Sequence, residues 1–278
     1  MSVENLVGLE YVRLLSGIGI FVNSALSGPI EWTIRNEKVW ETEETDYLMS
    51  VISPGSVFLD VGANIGYFTV CAAHQVGSTG KVIAVEPDPE NAAILGANVT
   101  RTPFPENILM LIMAAGDTQS TTTLYRSPLN SGDHRVFTGT ENDVLFDQGL
   151  PRTALTVRLE RLDDMLLHRL DRLDVVKIDT QGFETAVLRG MMGLLEKYKP
   201  IVLFEFWPYG IKRAGHDLSE IPALFARLGY KLFKLTTHLT PLELNYEAIA
   251  SIVDGDFHNV VAIASHNVPS TENTSLAT

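Results

Sequence analysis

The chain has 278 residues, of which 45% are hydrophobic, and a formal net charge of −13, which suits one large α/β domain or two small ones. Nucleic acids are bound mainly through their phosphates, so this negative charge argues against a nucleic-acid partner. The sequence shows neither an apolar run long enough to span a membrane nor a signal-type N-terminus, and its one cysteine, Cys71, excludes an intramolecular disulfide. We therefore expect a cytoplasmic protein that does not bind membranes.

The first 50 residues are predicted to form a cap made of a helix, a short hairpin and a second helix. Apolar side chains between Leu6 and Leu15 favour a helix over residues 1–24, which is a candidate element of a homodimer. Residues 31–35 alternate like a strand. The acidic residues that follow Trp40 suit the first turn of a helix that runs to Ile52.

Residues 51–265 alternate between apolar strands and amphipathic helices, and residues 266–278 read as a flexible tail. The predicted core strands are 57–61, 81–85, 108–114, 174–178, 201–204, 230–235 and 259–264. The predicted helices are 65–76, 88–99, 162–170, 182–195 and 218–229. Such alternation predicts a doubly wound, mostly parallel, seven-stranded α/β sheet. Strands over 121–125 and 155–159 form a β-hairpin insertion after the third core strand, and the loop between them is long enough to be a binding loop.

The turn after the first core strand carries the strongest functional signal. The strand ends at Asp60, and Gly62 and Gly66 follow before a helix begins, so a ligand can approach the backbone closely. A dinucleotide-binding turn has Gly-x-Gly-x-x-Gly, whereas Ala63 and Asn64 stand between these glycines. A carboxylate beside the turn would repel a pyrophosphate but would suit the ammonium and sulfonium groups of S-adenosylmethionine.

Acidic residues stand at the ends of four predicted core strands, namely Asp60, Glu86, Asp179 and Glu205. Ligands of parallel sheets bind beyond the carboxyl ends of the strands. Charge at buried strand ends is costly unless it faces a polar cleft. The pattern therefore predicts one cleft at this edge, where Glu86 can accept hydrogen bonds from a ribose.

Five sequence blocks are similar to the FkbM family of S-adenosylmethionine-dependent methyltransferases and together span about residues 40–235. They are DVGANIGY at 60–67, EPDP at 86–89, KIDTQGFE at 177–184, LRG at 188–190 and PIVLFE at 200–205. The third block is the most specific. It departs from the family at Gln181, where a glutamate is usual, so a role of that acid as metal ligand or base would be missing here.

The resemblance implies the class I methyltransferase fold, with S-adenosylmethionine as methyl donor and methylation mostly of hydroxyl groups on sugars or natural products. The cofactor-binding residues that it and their positions imply are Asp60, Gly62, Ala63, Asn64, Gly66, Tyr67, Phe68, Glu86, Pro87, Ala115, Asp117 and Asp179. Asp117 would accept a hydrogen bond from the adenine amine.

A hydroxyl acceptor loses a proton, so a general base is expected. The candidates are Asp179, whose alternative role is to cap the next helix, and His134 in the long loop. The acceptor is expected to contact Glu44, His134, Arg135, Glu184, Glu205 and Trp207. No metal is expected, although Asp179 and Glu205 could bind Mg²⁺ from neighbouring strand ends.

Several functions stay open at this point. Within the methyltransferases, the alternatives are N-methylation and methylation of a protein or glycan. Outside them, the chain could be an NAD-dependent oxidoreductase, against which the glycine spacing argues, or an S-adenosylmethionine-binding protein without catalysis. Turnover of S-adenosylmethionine would separate these functions.

Overall fold

The computed structural model describes residues 8–137, 147, 149–235 and 257–267, together with the backbone of 242–243. The predictions for residues 1–7, for the middle of the long loop and for the tail beyond residue 267 lie outside this part of the chain.

The described strands and helices follow one another as the sequence predicts for most of the core. The strands are β1 (Leu9–Arg13), β2 (Gly19–Asn23), β3 (Val57–Val61), β4 (Lys81–Val85), β5 (Ile108–Leu111), β6 (Ala114–Ala115), β7 (Ser120–Arg126), β8 (Thr153–Glu160), β9 (Val175–Ile178), β10 (Ile201–Phe206), β11 (Tyr230–Lys234), β12 (Leu242–Glu243) and β13 (His258–Ala264). The α-helices are α1 (Pro29–Glu37), α2 (Thr42–Val51), α3 (Tyr67–Val76), α4 (Pro89–Val99), α5 (Leu162–Leu166), α6 (Glu184–Gly190), α7 (Met192–Tyr198), α8 (Pro208–Arg213) and α9 (Glu220–Arg227). Short 3₁₀ helices cover Gly77–Thr79, Pro105–Asn107 and Ser265–Asn267.

The central sheet has the strand order β12-β11-β13-β10-β9-β3-β4-β5. The five strands from β10 to β5 are parallel, and β13 lies antiparallel between β10 and β11. This confirms the predicted mostly parallel sheet of the class I methyltransferase type, to which the two-residue strand β12 adds an eighth strand at one edge. The chain reverses its order between β3 and β9, so the two βα turns there diverge and leave a crevice at the strand ends.

Both faces of the sheet are covered, which is why its central strands are apolar throughout. All five residues of β3 are buried. Val57, Leu59 and Val61 pack in a cluster with residues of α5, α6, α7 and α9, whereas Phe58 packs on the opposite face in a cluster with α2, α3 and the β1–β2 pair. Asp60 shares the face of Phe58, so its carboxylate is buried beneath the helices.

After β5 the chain leaves the central sheet. The predicted third strand 108–114 is divided, because Ile108–Leu111 pairs with β4 whereas Ala114–Ala115 pairs with β8. Strands β7 and β8 pair antiparallel over their length and complete a three-stranded sheet with β6. Residues 127–137 of the long loop follow β7 and reach the turn after β3, where Ser131 contacts Asn64.

The N-terminal cap was predicted as a helix, a hairpin and a helix, which is wrong, because the described residues form a hairpin followed by two helices. Residues 9–23 form a two-stranded antiparallel pair and not a helix. Gly17 adopts a φ of +85° in the turn between the strands, and Val12 and Val22, one on each strand, are buried. Residues 31–35 lie in helix α1 and not in a strand, with Pro29 at its first turn. The second predicted helix, α2, is confirmed.

Two further differences lie in the second half of the core. The predicted helix 182–195 is interrupted at Met191 and becomes α6 and α7. Pro208–Arg213 form helix α8, which the sequence does not predict. Strand β10 continues to Phe206, so Glu205 lies within the strand near its end. Across the described ranges, no helix is both long and apolar enough to cross a membrane.

Candidate active site

The turn after β3 adopts three left-handed backbone conformations within five residues. The φ angles are +85° at Gly62, +51° at Asn64 and +91° at Gly66. A Cβ on Gly62 would overlap the carbonyl oxygen of Asp179, so only glycine allows the turn to pack on the end of β9. The N–H groups of Gly62 and Ala63 donate to the carbonyl of Val85 at 2.9 and 3.0 Å. The turn is therefore fixed to both neighbouring strands.

Glu86, just after β4, holds the other side of this turn. Its two carboxylate oxygens accept the N–H groups of Asn64 and Asp88, each at 2.8 Å. Burial raises the pKa of Glu86 to about 8, although the two N–H groups act in the opposite direction. Each oxygen keeps a further lone pair. Glu86 also lines the cleft, so it can accept hydroxyl groups of a ligand there.

Asp60 lies behind the turn and does not line the cleft. Its carboxylate is 1% exposed and accepts a hydrogen bond from the Thr69 hydroxyl at 2.6 Å. Burial raises its pKa to about 6, while the ammonium group of Lys177 acts to lower it. The structure thus places Asp60 under the site, where it fixes the start of α3.

A buried lysine, Lys177 on β9, lies among carboxylates at the centre of the strand ends. Its ammonium nitrogen is 3.0 Å from Asp179 Oδ2, 3.5 Å from Glu44 Oε2 and 3.7 Å from Glu41 Oε2. Burial alone would lower the pKa of Lys177, but these carboxylates raise it well above its usual value. The residue therefore carries its charge and offsets part of the acidic surplus.

Three carboxyl groups lie around the single ammonium group of Lys177, and two of them, those of Glu41 and Glu44, have a raised pKa. Burial is the main cause that raises the pKa of Glu41 and of Glu44, and neighbouring carboxylates add to it. Glu41 also has a left-handed backbone, with a φ of +44°. Strained residues of this kind cluster at functional sites.

The side-chain amide of Gln181 joins two carboxylates of the cleft. Its Nε2 donates to Asp179 Oδ1 at 2.9 Å and to Glu205 Oε2 at 3.3 Å. Gln181 has a left-handed backbone with a φ of +52°. The next turn is closed by Glu184, whose Oε1 accepts the N–H groups of Thr180 and Gly182. The residue before α6 is Phe183 and no side chain caps this helix, so the alternative role of Asp179 as a helix cap is not observed.

Residues 127–137, the described first part of the long loop between β7 and β8, contact the turn after β3. The carbonyl of Ser131 accepts the side-chain amides of Asn64 at 2.7 Å and Asn91 at 3.1 Å. The Ser131 hydroxyl donates to buried Glu31 at 2.8 Å. These contacts join residues 127–137 to α1, to the turn after β3 and to α4, so this part of the loop forms a wall of the cleft.

An ion-pair network holds the loop in this position. Asp133 accepts from Arg135 at 2.8 Å and from Arg152 at 2.6 Å, and Arg152 also pairs with Asp147 at 2.6 Å. The guanidinium of Arg135 is 3% exposed and stacks over the Trp207 ring at 4.7 Å. Arg135 and Trp207 therefore support the loop and do not line the cleft.

His134 lines the cleft from this loop, and its ring is oriented by a hydrogen bond to the loop backbone. Its Nδ1 accepts the backbone N–H of Ser127 at 3.2 Å, so the neutral ring carries its proton on Nε2. Burial lowers the pKa of His134 below its usual value. The base role predicted for His134 therefore gains no support from this geometry.

These elements enclose a cleft of about 410 Å³ at the carboxyl ends of the strands, within the size range of small-molecule sites. The predicted residues that line it are Gly62, Ala63, Asn64, Tyr67, Phe68, Glu86, Pro87, Ala115, His134, Asp179 and Glu205. The predicted residues that do not line it are Asp60, Gly66, Asp117, Glu44, Arg135, Glu184 and Trp207.

Each residue of the second group has another place. Gly66 begins α3 and faces Leu95, and Glu44 pairs with Lys177 beneath the cleft. Asp117 lies 3.4 Å from Arg189, away from the strand ends. Asp117 does not line the cleft, and its adenine role stays a prediction.

Sequence reasoning missed several residues of the cleft. Of these residues, Lys177 is the easiest to predict from the sequence, because it places a charge that must be compensated within the apolar strand Val175–Ile178. Gln181 was noted only as a departure from the family. The contributions of Glu41, Asn91 and Ser131 depend on contacts between distant segments, so the sequence gives no local signal for them.

Metal binding gains no support from the donor set. In the described ranges no group of three or more His, Cys, Asp or Glu side chains is placed to hold a metal ion. The oxygens of Asp179 that Mg²⁺ would need accept from Lys177 and Gln181.

The chain matches a protein-family model and is similar to several known proteins. The family model described as the methyltransferase FkbM domain matches residues 60–232. Hexuronic acid methyltransferase AglP of Haloferax volcanii is 25% identical over 214 residues, which cover 76% of this chain and 76% of AglP. AMB antimetabolite synthetase AmbE of Pseudomonas aeruginosa is 30% identical over 180 residues, or 55% of this chain, but this chain covers only 8% of AmbE.

Among solved structures, methyltransferase FkbM from Methylobacillus flagellatus aligns with a TM-score of 0.44 and 16% identity, covering 79% of this chain and 50% of that chain. The chain thus spans half or less of the length of two of these three relatives.

Proposed function

Because this chain belongs to the FkbM family of methyltransferases, whose methyl donor is S-adenosylmethionine, we propose that it methylates a hydroxyl group of a small-molecule, sugar or natural-product acceptor. Family membership sets aside the NAD-dependent oxidoreductase that the sequence alone left open. The acceptor, and methylation on oxygen, are the proposed part.

The turn and Glu86 fit the cofactor. Glu86 retains a lone pair on each oxygen at the edge of the cleft, which suits the two ribose hydroxyls. Gly62, Ala63 and Asn64 line the adjoining wall, where the methionine part would lie. Met113 and Ala115 supply apolar surface beside Glu86 for the adenine.

The observation that carries the proposal is the pair of carboxylates, Asp179 and Glu205, that lines the same cleft as Glu86. S-adenosylmethionine supplies a methyl group on a positively charged sulfur. Carboxylates beside that position stabilise the cation and can accept the proton that a hydroxyl loses. Much of the rate gain in such a transfer comes from holding the acceptor in line at near-attack distance, and the walls of the cleft are fixed for this by the loop network around Asp133.

Sugars are the first acceptors to test. A relative that matches 76% of this chain is by its name a hexuronic acid methyltransferase. The cleft here is rich in carboxylates, so a neutral sugar is a necessary companion to the uronic acid in any panel. Amine acceptors belong in it as well, because N-methylation draws on the same cofactor.

The cofactor half is tested by calorimetric titration of the purified chain with S-adenosylhomocysteine, with NAD as control ligand. We expect micromolar binding of S-adenosylhomocysteine and none of NAD. The variant Glu86→Gln should weaken binding about 2–12-fold, since one hydrogen bond between uncharged groups is worth about 0.5–1.5 kcal/mol. Unchanged affinity in this variant would contradict the ribose role of Glu86.

The acceptor half is tested by the release of S-adenosylhomocysteine with methyl glucuronide, methyl glucoside and an amino sugar as separate acceptors. A hydroxyl methyltransferase produces a methyl ether with one of the first two, and Asp179→Asn should lower turnover much more than cofactor affinity. Methylation of the amino group alone would favour the N-methyltransferase. Cofactor binding without turnover of any acceptor would favour the non-catalytic alternative.

A further inference from the structure

The two carboxylates at the acceptor end of the cleft have different hydrogen-bond partners. Asp179 accepts on both oxygens, from Gln181 Nε2 at 2.9 Å and from the Lys177 ammonium at 3.0 Å. Glu205 accepts from the same Gln181 amide at the longer distance of 3.3 Å. Donors to the charged form stabilise that form, and a charged donor does so most. Asp179 is therefore the better stabilised anion of the two.

The surroundings of Glu205 act against its negative charge. Burial raises its pKa well above the usual value, and four further carboxylates add to this: Asp179 after β9, Glu184 on α6, and Glu41 and Glu44 at the start of α2. On the other side, the residue paired with Glu205 in β13 is Asn259, which carries no charge. Lys177, the nearby cation, pairs with Asp179.

Two carboxylates whose environments differ in this way usually divide the work of a site between them. A group that stays ionised orients and stabilises positive charge, whereas a group that binds its proton more tightly is the better general base. Both Asp179 and Glu205 line the cleft.

We propose, on the basis of the methyltransferase function proposed above, that Glu205 takes the proton of the acceptor hydroxyl, that Asp179, held by Lys177 and Gln181, orients that hydroxyl, and that Gln181 is the positioning residue that couples the two carboxylates. The sequence favoured Asp179 and His134 as base, so this assignment moves the proton transfer to a residue that the sequence placed only in the acceptor pocket.

The step balances with the groups present. The acceptor oxygen forms the new bond to the methyl carbon, and the methyl–sulfur bond breaks with its electron pair staying on sulfur. The O–H bond of the acceptor breaks at the same time, and its proton passes to a carboxylate oxygen of Glu205. The neutral Glu205 carboxyl releases this proton to solvent when the products leave.

The backbone at Gln181 supports its positioning role. A left-handed conformation is strained at a non-glycine residue, and Gln181 adopts it with a φ of +52°. This conformation directs the amide between the two carboxylates, where one N–H group is available to each. A carboxyl group at position 181 would offer at most one donor.

Titration of the carboxyl carbons in the full chain tests the assignment without an acceptor. Side chains of Glu and Asp are labelled with ¹³C at the carboxyl carbon, and the resonances are assigned by their loss in Glu205→Gln and Asp179→Asn. We expect the Glu205 carbon to titrate above the usual glutamate range, which is about pH 4.

The variant Gln181→Met tests the positioning role, because it keeps the length of the side chain and removes the two donors. Loss of the donor should move the midpoint of Glu205 to higher pH. The matched control is Gln75→Met, which removes an amide that donates to the carbonyls of Met49 and Ile52 away from the cleft. The control should leave the Glu205 midpoint unchanged.

A Glu205 carbon that titrates within the usual glutamate range would overturn the role of Glu205 as the base. An unchanged Glu205 midpoint in Gln181→Met would overturn the role of Gln181. Failure of the underlying function is detected separately, by calorimetric titration with S-adenosylhomocysteine. Gln181→Met and Gln75→Met should both bind this ligand like the wild type. With a glycoside that is turned over, Glu205→Gln should lower kcat about 100-fold or more with little change in KM.

Discussion

Replacing Gly62 with alanine should damage both the stability of the fold and the geometry of the cleft. Gly62 has a φ of +85°, and a Cβ built on it would overlap the carbonyl oxygen of Asp179 and lie 2.9 Å from its carbonyl carbon. The neighbour is backbone at the end of β9, so it cannot rotate away as a side chain can. Asp179, and with it the bonds to Lys177 and Gln181, would have to move.

Two contributions set the magnitude. The left-handed backbone costs an alanine about 1–2 kcal/mol, and forcing extra volume into a packed site costs about 1–3 kcal/mol. Together they predict a loss of about 2–5 kcal/mol in the free energy of unfolding. Gly215→Ala is the matched control, because Gly215 has a φ of +87° with nothing within 4 Å of its built Cβ. It should lose only the backbone contribution.

The assay is urea denaturation of wild type, Gly62→Ala and Gly215→Ala, read from the midpoints at equal slope. Calorimetric titration with S-adenosylhomocysteine on the folded variants then shows whether the cleft is changed. Equal losses of stability in the two variants, with wild-type binding in Gly62→Ala, would show that the turn and β9 separate without cost, and the argument for close packing at Gly62 would fail.

Three further predictions concern charges. The pKa of Glu86 is raised to about 8 by burial, so the folded protein holds this proton more tightly than the unfolded chain; its stability should therefore fall as the pH rises from about 5 to 8, by up to about 1.4 kcal/mol per pH unit. Urea denaturation of Glu86→Gln should show a shallower fall, and an identical pH dependence would contradict the assignment. Lys177→Met leaves its carboxylates unpaired and should cost about 3–5 kcal/mol, whereas the exposed control Lys81→Met should change the unfolding free energy by under about 0.5 kcal/mol; equal effects would show that Lys177 is not needed for charge balance. Arg152→Ala removes the ion pairs with Asp133 and Asp147 and should speed hydrogen exchange of the amides at 127–137. The exposed control Arg158→Ala should leave this exchange unchanged. Equally slow exchange in both variants would show that residues 127–137 keep their position without these ion pairs.

The central sheet could be predicted closely because its signals are local. Strands β3 and β4 begin and end where the apolar runs at 57–61 and 81–85 do. Helix α4 begins at Pro89 after Asp88, whose carboxylate accepts the N–H groups of Glu90 and Asn91 as the N-cap pattern predicts. Each of these features depends on residues within one or two turns of the chain.

The N-terminal cap shows where local patterns mislead. Leu14 and Leu15 extend the apolar pattern of residues 1–24 into a helical period, but Gly17 turns the chain and leaves Leu15 76% exposed. The pairing of residues 9–13 with 19–23 is stabilised by burial against α1 and α4, for example by Asn98, whose side chain bonds both backbone groups of Phe21. No pattern within residues 1–24 contains that contact.

The place of the site could be predicted from the acids, but the role of each acid could not. An acid at a strand end indicates that the edge faces a polar cleft, and this holds for Glu86, Asp179 and Glu205. What an acid does there depends on which donors reach it. Glu86 receives backbone N–H groups, Asp179 receives an ammonium and an amide, and Glu205 receives only a share of that amide among the described residues. The donors come from segments up to 24 residues away, so the division of roles is a property of the fold and not of any motif.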